Sequence, residues 1–244
     1  MPKLMGQSDT VVNKTVSNFG FSSLPPDALG SDEQTLVVVA LDRSGSIYGF
    51  KDELVRAYQE ITRACRKNPR VESLLMRATS FASGLTEEHG FIGVNSIDEA
   101  SFDLHVGGAT ALNDAALDAI ETIETYGKQL TGLDYMANGL VVVVTDGGEN
   151  SSKIGTETKI KNAIGRIRKD ESLESLKTIL IGLGSDADRA YYEDYAKRCG
   201  FDQCEHIKDT DSNGIAKMGD FISRSISSTS QALGSGGPSK NLVV

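Results

Sequence analysis

The sequence contains two carboxylates and three hydroxyls at points where predicted strands or helices begin or end. All are oxygen donors, and they are Asp42, Ser44, Ser46, Thr110 and Asp146. Oxygen ligands of this kind suit hard divalent cations, namely Mg²⁺, Mn²⁺ or Ca²⁺. The chemistry that these residues can support is therefore the binding of one such cation, provided that the fold brings them together.

Two short apolar runs position the aspartates. Leu36–Leu41 and Leu140–Thr145 are rich in valine and leucine, which is typical of parallel strands buried on both faces. We assign them as the first and fourth strands of a doubly wound sheet, in which the strand order reverses beside the first strand. Asp42 and Asp146 then face each other across the crevice at the carboxyl edge. Two buried carboxylates repel each other there unless a cation lies between them.

The rest of the chain alternates between helical and strand patterns. Apolar residues at helical spacing predict helices over 52–67, 111–126, 156–169, 188–199 and 214–229. The alternation predicts an α/β fold with a doubly wound, mainly parallel central sheet and helices on both faces. One short antiparallel edge strand is predicted near Gly90–Val94, and residues 127–138 are predicted to be a long connection.

Three segments are predicted from composition. Residues 1–34 are rich in Ser, Asp, Gly and Asn and form an N-terminal arm, which either packs on the domain through its few apolar residues or is disordered. Residues 35–230 form the domain itself. Residues 231–244 are rich in glycine and serine and are predicted to be a flexible C-terminal tail.

The order of the oxygen-donor residues resembles a known motif. Asp42-x-Ser44-x-Ser46, then a distant Thr110, then a distant Asp146, is similar to the metal-ion-dependent adhesion site (MIDAS) of von Willebrand factor type A (VWA) domains. The resemblance implies a Rossmann-like VWA fold and a cation with one position open for a partner's acidic side chain. Ala109 departs from the family's Gly-Gly-Thr pattern, because it is inserted before the threonine.

The stretch 221–232 resembles the closing helix of bacterial tellurite-resistance-associated VWA proteins. That resemblance implies a cytoplasmic component of a multiprotein assembly or stress-response system. It further implies a protein partner of the AAA+ ATPase, kinase or phosphatase classes.

Each candidate ligand also has an ordinary structural interpretation. Asp42 and Asp146 are residue types common in turns, and Ser44, Ser46 or Thr110 can cap the helix that follows. The metal-site interpretation is favoured because three separate loops supply the whole set in the order of the motif.

Composition excludes several functions and locations. With 25 basic and 34 acidic residues the net charge is −9, which argues against binding to nucleic acid or to anionic membranes. The three cysteines are scattered without zinc spacing or a disulfide pattern. No signal-peptide pattern or membrane-length apolar run is present, so a cytoplasmic location is expected.

Two functional hypotheses follow. The first is a non-enzymatic, metal-dependent protein-binding module with no catalytic residues and no cofactor other than the cation. The alternative is a Mg²⁺-dependent phosphotransferase or phosphatase with Asp42 as nucleophile. Such enzymes need a second acidic residue two positions later, where this sequence has Ser44, and a lysine at a strand end, where none is evident.

Overall fold

A computed structural model describes residues 10–170, 172–235 and 242 of the chain, without the side chains of 233–235. Its strands are β1 (Val11–Lys14), β2 (Gly20–Ser23), β3 (Glu33–Asp42), β4 (Leu74–Phe81), β5 (Leu85–Gly93), β6 (Met136–Thr145), β7 (Ser175–Leu183) and β8 (Gln203–Ile207). Its α-helices are α1 (Lys51–Arg66), α2 (Leu112–Thr131), α3 (Glu157–Asp170), α4 (Arg189–Cys199) and α5 (Ser212–Ser235).

The strands form one sheet in the order β1-β2-β5-β4-β3-β6-β7-β8. Strands β4, β3, β6, β7 and β8 are mutually parallel, and β5 runs antiparallel to β4. Helices cover both faces, with α1 and α5 on one side and α2, α3 and α4 on the other. The predicted fold class is therefore confirmed.

The central strand β3 is buried on both faces, as its unbroken apolar run predicts. Leu36 and Val38 belong to the core beneath α2, α3 and α4, whereas Val37 and Val39 belong to the core beneath α1 and α5. All four side chains are fully buried. Because successive residues of a strand point to opposite faces, a strand in this position needs an apolar residue at every position.

The position of β3 creates the crevice that the sequence predicts. This strand lies between β4 and β6, so the strand order reverses beside it. Leu41 of β3 is paired in register with Val144 of β6. The loops that follow the two strands therefore leave the same edge of the sheet side by side, and they carry Asp42 and Asp146.

The N-terminal arm extends the sheet. Strand β2 pairs with β5, and β1 pairs with β2 in an antiparallel hairpin. The ring of Phe21 is buried against the ring of Phe91, with their centroids 6.0 Å apart. Over residues 10–34 the structure thus shows the packed alternative, whereas residues 1–9 lie outside the described part of the chain.

Three predicted boundaries differ from the structure. The antiparallel strand β5 is longer than the predicted Gly90–Val94, and it is covered by β2 instead of forming the edge. Helix α5 continues to Ser235, into the predicted tail. The rest of that tail lies outside the described residues, apart from residue 242.

The third difference concerns the predicted connection over residues 127–138, where helix α2 continues to Thr131. Gly127 lies inside this helix, at a point where the helix passes close to another segment. A Cβ at this position would lie 2.7 Å from Cδ2 of Leu173. The glycine therefore permits close packing inside a continuing helix.

A similar close approach predicts the effect of a substitution in β7. The ring of Tyr192 in α4 lies directly over Gly182, and a Cβ at Gly182 would overlap it. We expect Gly182→Ala to lower the free energy of unfolding by about 1–3 kcal/mol, because the buried ring must move. Urea-induced unfolding measures this change.

The matched control is Gly165→Ala in α3, where no atom lies within 4 Å of the new Cβ. There we expect stabilisation of up to about 1 kcal/mol, because alanine favours the helix over glycine. Equal effects of the two substitutions would contradict the packing argument.

Candidate metal centre

Asp42 is held rigidly at the end of β3. Its side chain is 1% exposed. One carboxylate oxygen, Oδ1, accepts a hydrogen bond of 2.7 Å from the backbone N–H of Ser44. The other, Oδ2, accepts a bond of 2.6 Å from the hydroxyl of Thr145 at the end of β6. Bonds from two neighbouring strand ends therefore set the orientation of the carboxylate.

Three loops carry the candidate ligands: the first follows β3, the second contains Gly107–Thr110 and the third follows β6. A chain of hydroxyls joins the first loop to the third. The Oγ atoms of Ser44 and Ser46 lie 3.1 Å apart. Ser46 Oγ donates a 2.7 Å hydrogen bond to Oδ1 of Asp146. Ser44 precedes the 3-10 helix Gly45–Phe50, but its side chain does not cap that helix. The structure thus brings four of the five predicted ligands into one connected cluster.

Thr110 lies beside this cluster. Its side chain is buried, and a Cβ on Gly147 would lie 3.2 Å from its Oγ1 atom. Since Gly147 directly follows Asp146, the threonine hydroxyl borders the loop that carries this aspartate. The N-cap residue of α2 is Ala111 and not Thr110, and it makes no capping hydrogen bond through its side chain. The capping alternative for Thr110 therefore does not describe the structure.

Hydrogen bonds also join the second loop to the third. Thr110 N–H donates to Oδ1 of Asn150 at 2.8 Å, and Asn150 N–H returns a bond of 3.0 Å to the Thr110 carbonyl. The carboxylate of Glu149 accepts a 2.6 Å bond from the N–H of Asn113 in the first turn of α2. Asp114 accepts bonds from the backbone N–H groups of residues 153–155. These contacts set the distance between Thr110 and Asp146.

The Gly107-Gly108 pair brings the second loop against the first. Gly107 N–H donates to the Arg43 carbonyl at 2.8 Å, and Gly45 N–H donates to the Gly108 carbonyl at 3.2 Å. Both Gly107 and Gly108 have positive φ, at 150° and 91°, which other residues adopt only with strain. This turn delivers Thr110 to the site, and Ala109 is accommodated through a 2.9 Å bond from its N–H to the hydroxyl of Ser83.

Sequence reasoning missed the residues that hold the ligands in place. They are Thr145, Asn150, Glu149 and Asp114. Thr145 carries a usable signal, because it is a hydroxyl residue at the carboxyl end of an apolar strand, as Asp42 is a carboxylate at such an end. The other three give no signal of their own, since the partners through which they join the two loops are distant in sequence.

The two carboxylates of the cluster are electrostatically unfavourable in the metal-free protein. Burial raises the pKa of Asp42 above its ordinary value. Burial, together with the negative charge of Asp42, raises the pKa of Asp146 to about 6. No basic side chain is among the main causes of either pKa shift. A divalent cation would supply the missing positive charge, so the residues present fit such an ion.

The donors narrow the choice of ion. No group of three or more His, Cys, Asp or Glu residues is placed to hold a metal within residues 10–170, 172–235 and 242. The candidate centre thus combines only two carboxylates with three hydroxyls. This set contains no nitrogen or sulfur ligand of the kind that zinc prefers and suits a hard cation.

The similarity of this chain to known proteins lies in its three-dimensional structure. No family model and no curated protein sequence matches the chain. Among solved structures, the ArnB paralog VWA2 from Sulfolobus acidocaldarius has a TM-score of 0.53 at 14% identity, covering 89% of this chain and 52% of VWA2. Together with the sheet order, this similarity decides the fold. The chain has a VWA-like fold.

Two other solved structures share this VWA-like fold. The PilB minor pilin from Streptococcus sanguinis has a TM-score of 0.57 at 14% identity, over 91% of this chain and 67% of the pilin. Proximal thread matrix protein 1 of the mussel byssus, in a form whose MIDAS motif is occupied by zinc, has a TM-score of 0.52 at 14% identity. That match covers 80% of this chain and 46% of the matrix protein. At these identities the matches establish the fold alone.

Within the described part of the VWA-like chain, no helix is both long enough and apolar enough to cross a bilayer.

The bond between Thr145 and Asp42 predicts a role for Thr145 in metal affinity. We expect Thr145→Val to weaken Mg²⁺ binding by about 10–100-fold, because Asp42 loses a hydrogen bond that orients it and favours its charged form. Isothermal titration calorimetry measures the affinity.

The variant Thr145→Ser keeps the hydroxyl and should bind Mg²⁺ nearly as wild type does. Equal affinities for the valine variant and the wild type would show that this bond does not support the site.

The raised pKa of Asp146 predicts a pH-dependent stability in the metal-free protein. The folded state holds the Asp146 proton more tightly than the unfolded state does. The charged carboxylate therefore lowers the free energy of unfolding, fully so above pH about 6. This destabilisation decreases as the pH falls below about 6 and the carboxylate becomes protonated. We therefore expect Asp146→Asn to be more stable than wild type at pH 7.5 in EDTA, and the difference to shrink by pH 5. Urea-induced unfolding at both pH values measures it. A wild type that is the more stable protein at pH 7.5 would contradict the assignment.

Proposed function

We propose that the protein is a metal-ion-dependent protein-binding module. Asp42, Ser44, Ser46, Thr110 and Asp146 would hold one divalent cation. When bound, that cation supplies the positive charge that attracts an acidic side chain of a partner protein. The observation that carries the proposal is the connected cluster that joins Ser44, Ser46 and Asp146 beside the buried carboxylate of Asp42.

The charge balance of the cluster supports an anion-binding role. Two carboxylates neutralise a dication, and the hydroxyls add ligands without adding charge. A third carboxylate from the protein would make the loaded site negative and would repel an acidic partner. This site retains its attraction for an external carboxylate because it contains only two.

The exposure of the ligands supports access by a macromolecule. Asp42, Ser44 and Thr110 are buried, Asp146 is half-buried and Ser46 is exposed. The cluster therefore runs from the interior of the crevice to the surface. A bound cation would be held from the inner side and approached by a partner from the outer side.

The all-oxygen donor set supports Mg²⁺, Mn²⁺ or Ca²⁺ as the bound ion. The MIDAS motif of the mussel matrix protein is occupied by zinc in one structure, which supports a divalent cation at a motif of this type. We propose Mg²⁺ as the resident ion, because it retains water ligands readily and exchanges one of them for a partner's oxygen.

The geometry of Asp42 supports a binding function over the phosphotransferase alternative. A nucleophilic carboxylate must reach the phosphorus of its substrate, but the side chain of Asp42 is buried at the inner end of the cluster. The position two residues later is Ser44, whose backbone N–H donates a hydrogen bond to Asp42. We therefore propose a module without catalytic activity.

The proposed partner is a protein that supplies a carboxylate. By resemblance to tellurite-resistance-associated VWA proteins, we propose a cytoplasmic assembly or stress-response system that contains an AAA+ ATPase, a kinase or a phosphatase. The net charge of −9 supports a protein partner over nucleic acid or an anionic membrane.

A metal titration tests the proposed function. We expect wild type to bind Mg²⁺ and Asp146→Asn to bind it more than about 100-fold more weakly, because losing a direct carboxylate ligand exceeds the effect of losing a supporting residue. Isothermal titration calorimetry with Mg²⁺ and Mn²⁺ measures both affinities.

The control variant is Asp188→Asn, which removes an exposed carboxylate from the segment before α4. It should bind Mg²⁺ as wild type does. The proposal fails if wild type binds neither ion, or if Asp146→Asn binds as tightly as wild type.

A further inference from the structure

Exposed aromatic side chains stand beside the candidate metal centre. Tyr48 and Tyr191 are the only aromatic residues among the large apolar side chains that are exposed in the described part of the chain. Tyr48 lies two residues after Ser46, in the 3-10 helix of the first loop. Tyr191 lies in the first turn of α4 and contacts the third loop. The two tyrosines thus border both of the loops that meet at the contact between Ser46 and Asp146.

Tyr48 has no visible role in the folded core. Its side chain is 81% exposed, although its neighbour Ile47 is fully buried and anchors the same turn. An exposed aromatic ring adds nothing to the stability of the isolated domain, and large exposed apolar side chains that cluster around a site mark an interaction surface. Its placement is therefore better explained by contact with a partner.

Tyr191 is exposed but fixed in position. Its hydroxyl accepts a 3.0 Å hydrogen bond from the backbone N–H of Glu149. A Cβ on Gly148 would lie 3.2 Å from that hydroxyl, so the glycine leaves room for the tyrosine. The centroid of its ring is 5.5 Å from that of Tyr192. A partner would meet this ring already in place, without the entropy cost of ordering it.

We infer that Tyr48 and Tyr191 form the specificity-determining surface around the cation, and that they select a partner segment in which one acidic residue is flanked by apolar side chains. This inference rests on the proposed function, because the acidic residue is the one that the cation attracts. The tyrosines add the contact area that a single carboxylate lacks.

Discrimination among partners needs such a surface. Aspartate and glutamate side chains occur on every protein, so a carboxylate contact alone selects none of them. Tyrosine offers a large, rigid area with one polar atom, and it is enriched among the residues that dominate binding energy at protein interfaces. Two tyrosines beside the centre therefore discriminate by what flanks the acidic residue.

The charges around the centre favour apolar flanks over acidic ones. Glu149 is half-buried, and its backbone N–H donates to the Tyr191 hydroxyl in the loop that carries Asp146. The whole chain has a net charge of −9. The cation accommodates one carboxylate, and these fixed negative charges repel further ones. A run of acidic residues is thus a poor match, and a single acidic residue among apolar neighbours is a good one.

A peptide selection tests the inference. The probe is a displayed library of random peptides with one fixed central aspartate, selected on immobilised wild type in excess Mg²⁺ and again in EDTA. We expect the Mg²⁺-dependent peptides to be enriched in aromatic and aliphatic residues within three positions of the aspartate. With Tyr48→Ser as the target, we expect this enrichment to be lost and the best wild-type peptide to bind about tenfold more weakly.

Matched variants separate the contribution of the two tyrosines from that of exposed apolar side chains in general. Leu133→Ser removes another exposed apolar side chain, located before β6 at the opposite edge of the sheet, and should leave the selection unchanged. Tyr191→Phe keeps the ring and should retain more peptide affinity than Tyr191→Ala. Mg²⁺ affinity, measured by calorimetry for Tyr48→Ser and Leu133→Ser, should stay within about twofold of wild type, because neither side chain is a proposed ligand or holds one in place.

The possible results distinguish this inference from the proposed function. Mg²⁺-dependent peptides without apolar enrichment, or with enrichment that survives Tyr48→Ser, would overturn the role of the tyrosines and leave the metal-dependent module intact. The absence of any Mg²⁺-dependent peptide would also overturn the inference. The calorimetric titration of wild type then shows whether the metal centre itself stands or fails.

Discussion

The burial of the Asp42 and Asp146 carboxylates, together with their mutual repulsion, is the constraint on which the centre depends. The fold ends two adjacent strands with these carboxylates, and it links them through Ser46 without placing a basic side chain among the main influences on either pKa. Burial and like charge both raise the free energy of the doubly ionised form. A divalent cation held between the two carboxylates, as proposed, would lower this free energy.

Pre-organisation by hydrogen bonds opposes that repulsion. Thr145 orients Asp42 from the neighbouring strand, and the reciprocal bonds of Thr110 and Asn150 hold the second loop against the third. Asp114 binds three consecutive backbone N–H groups of the third loop, which ties that loop to the start of α2. The candidate ligands are therefore held in position by the fold itself, and less conformational entropy would be lost if a cation bound.

Local pattern predicted most of the fold correctly. The runs Leu36–Leu41 and Leu140–Val144 are fully apolar because strands in the middle of a doubly wound sheet are buried on both faces. The failures arose where a long-range contact changes the meaning of a residue. Gly127 falls at the start of the predicted connection over residues 127–138, but it lies against Leu173 inside helix α2. The arm over residues 10–34 has an ambiguous sequence, and its pairing with β5 depends on a strand more than 60 residues away.

The sequence by itself determined the types and order of the candidate ligands, since Asp42, Ser44, Ser46, Thr110 and Asp146 all stand at ends of recognisable elements. Only the tertiary structure decided which atoms meet and what supports them. The hydrogen bond from Thr145 to Asp42 spans 103 positions of the chain, and the position of Tyr191 beside the third loop depends on how α4 packs over β7. Periodicity reports on neighbours within a few residues, whereas these contacts arise from the sheet order, which brings distant strand ends to one edge.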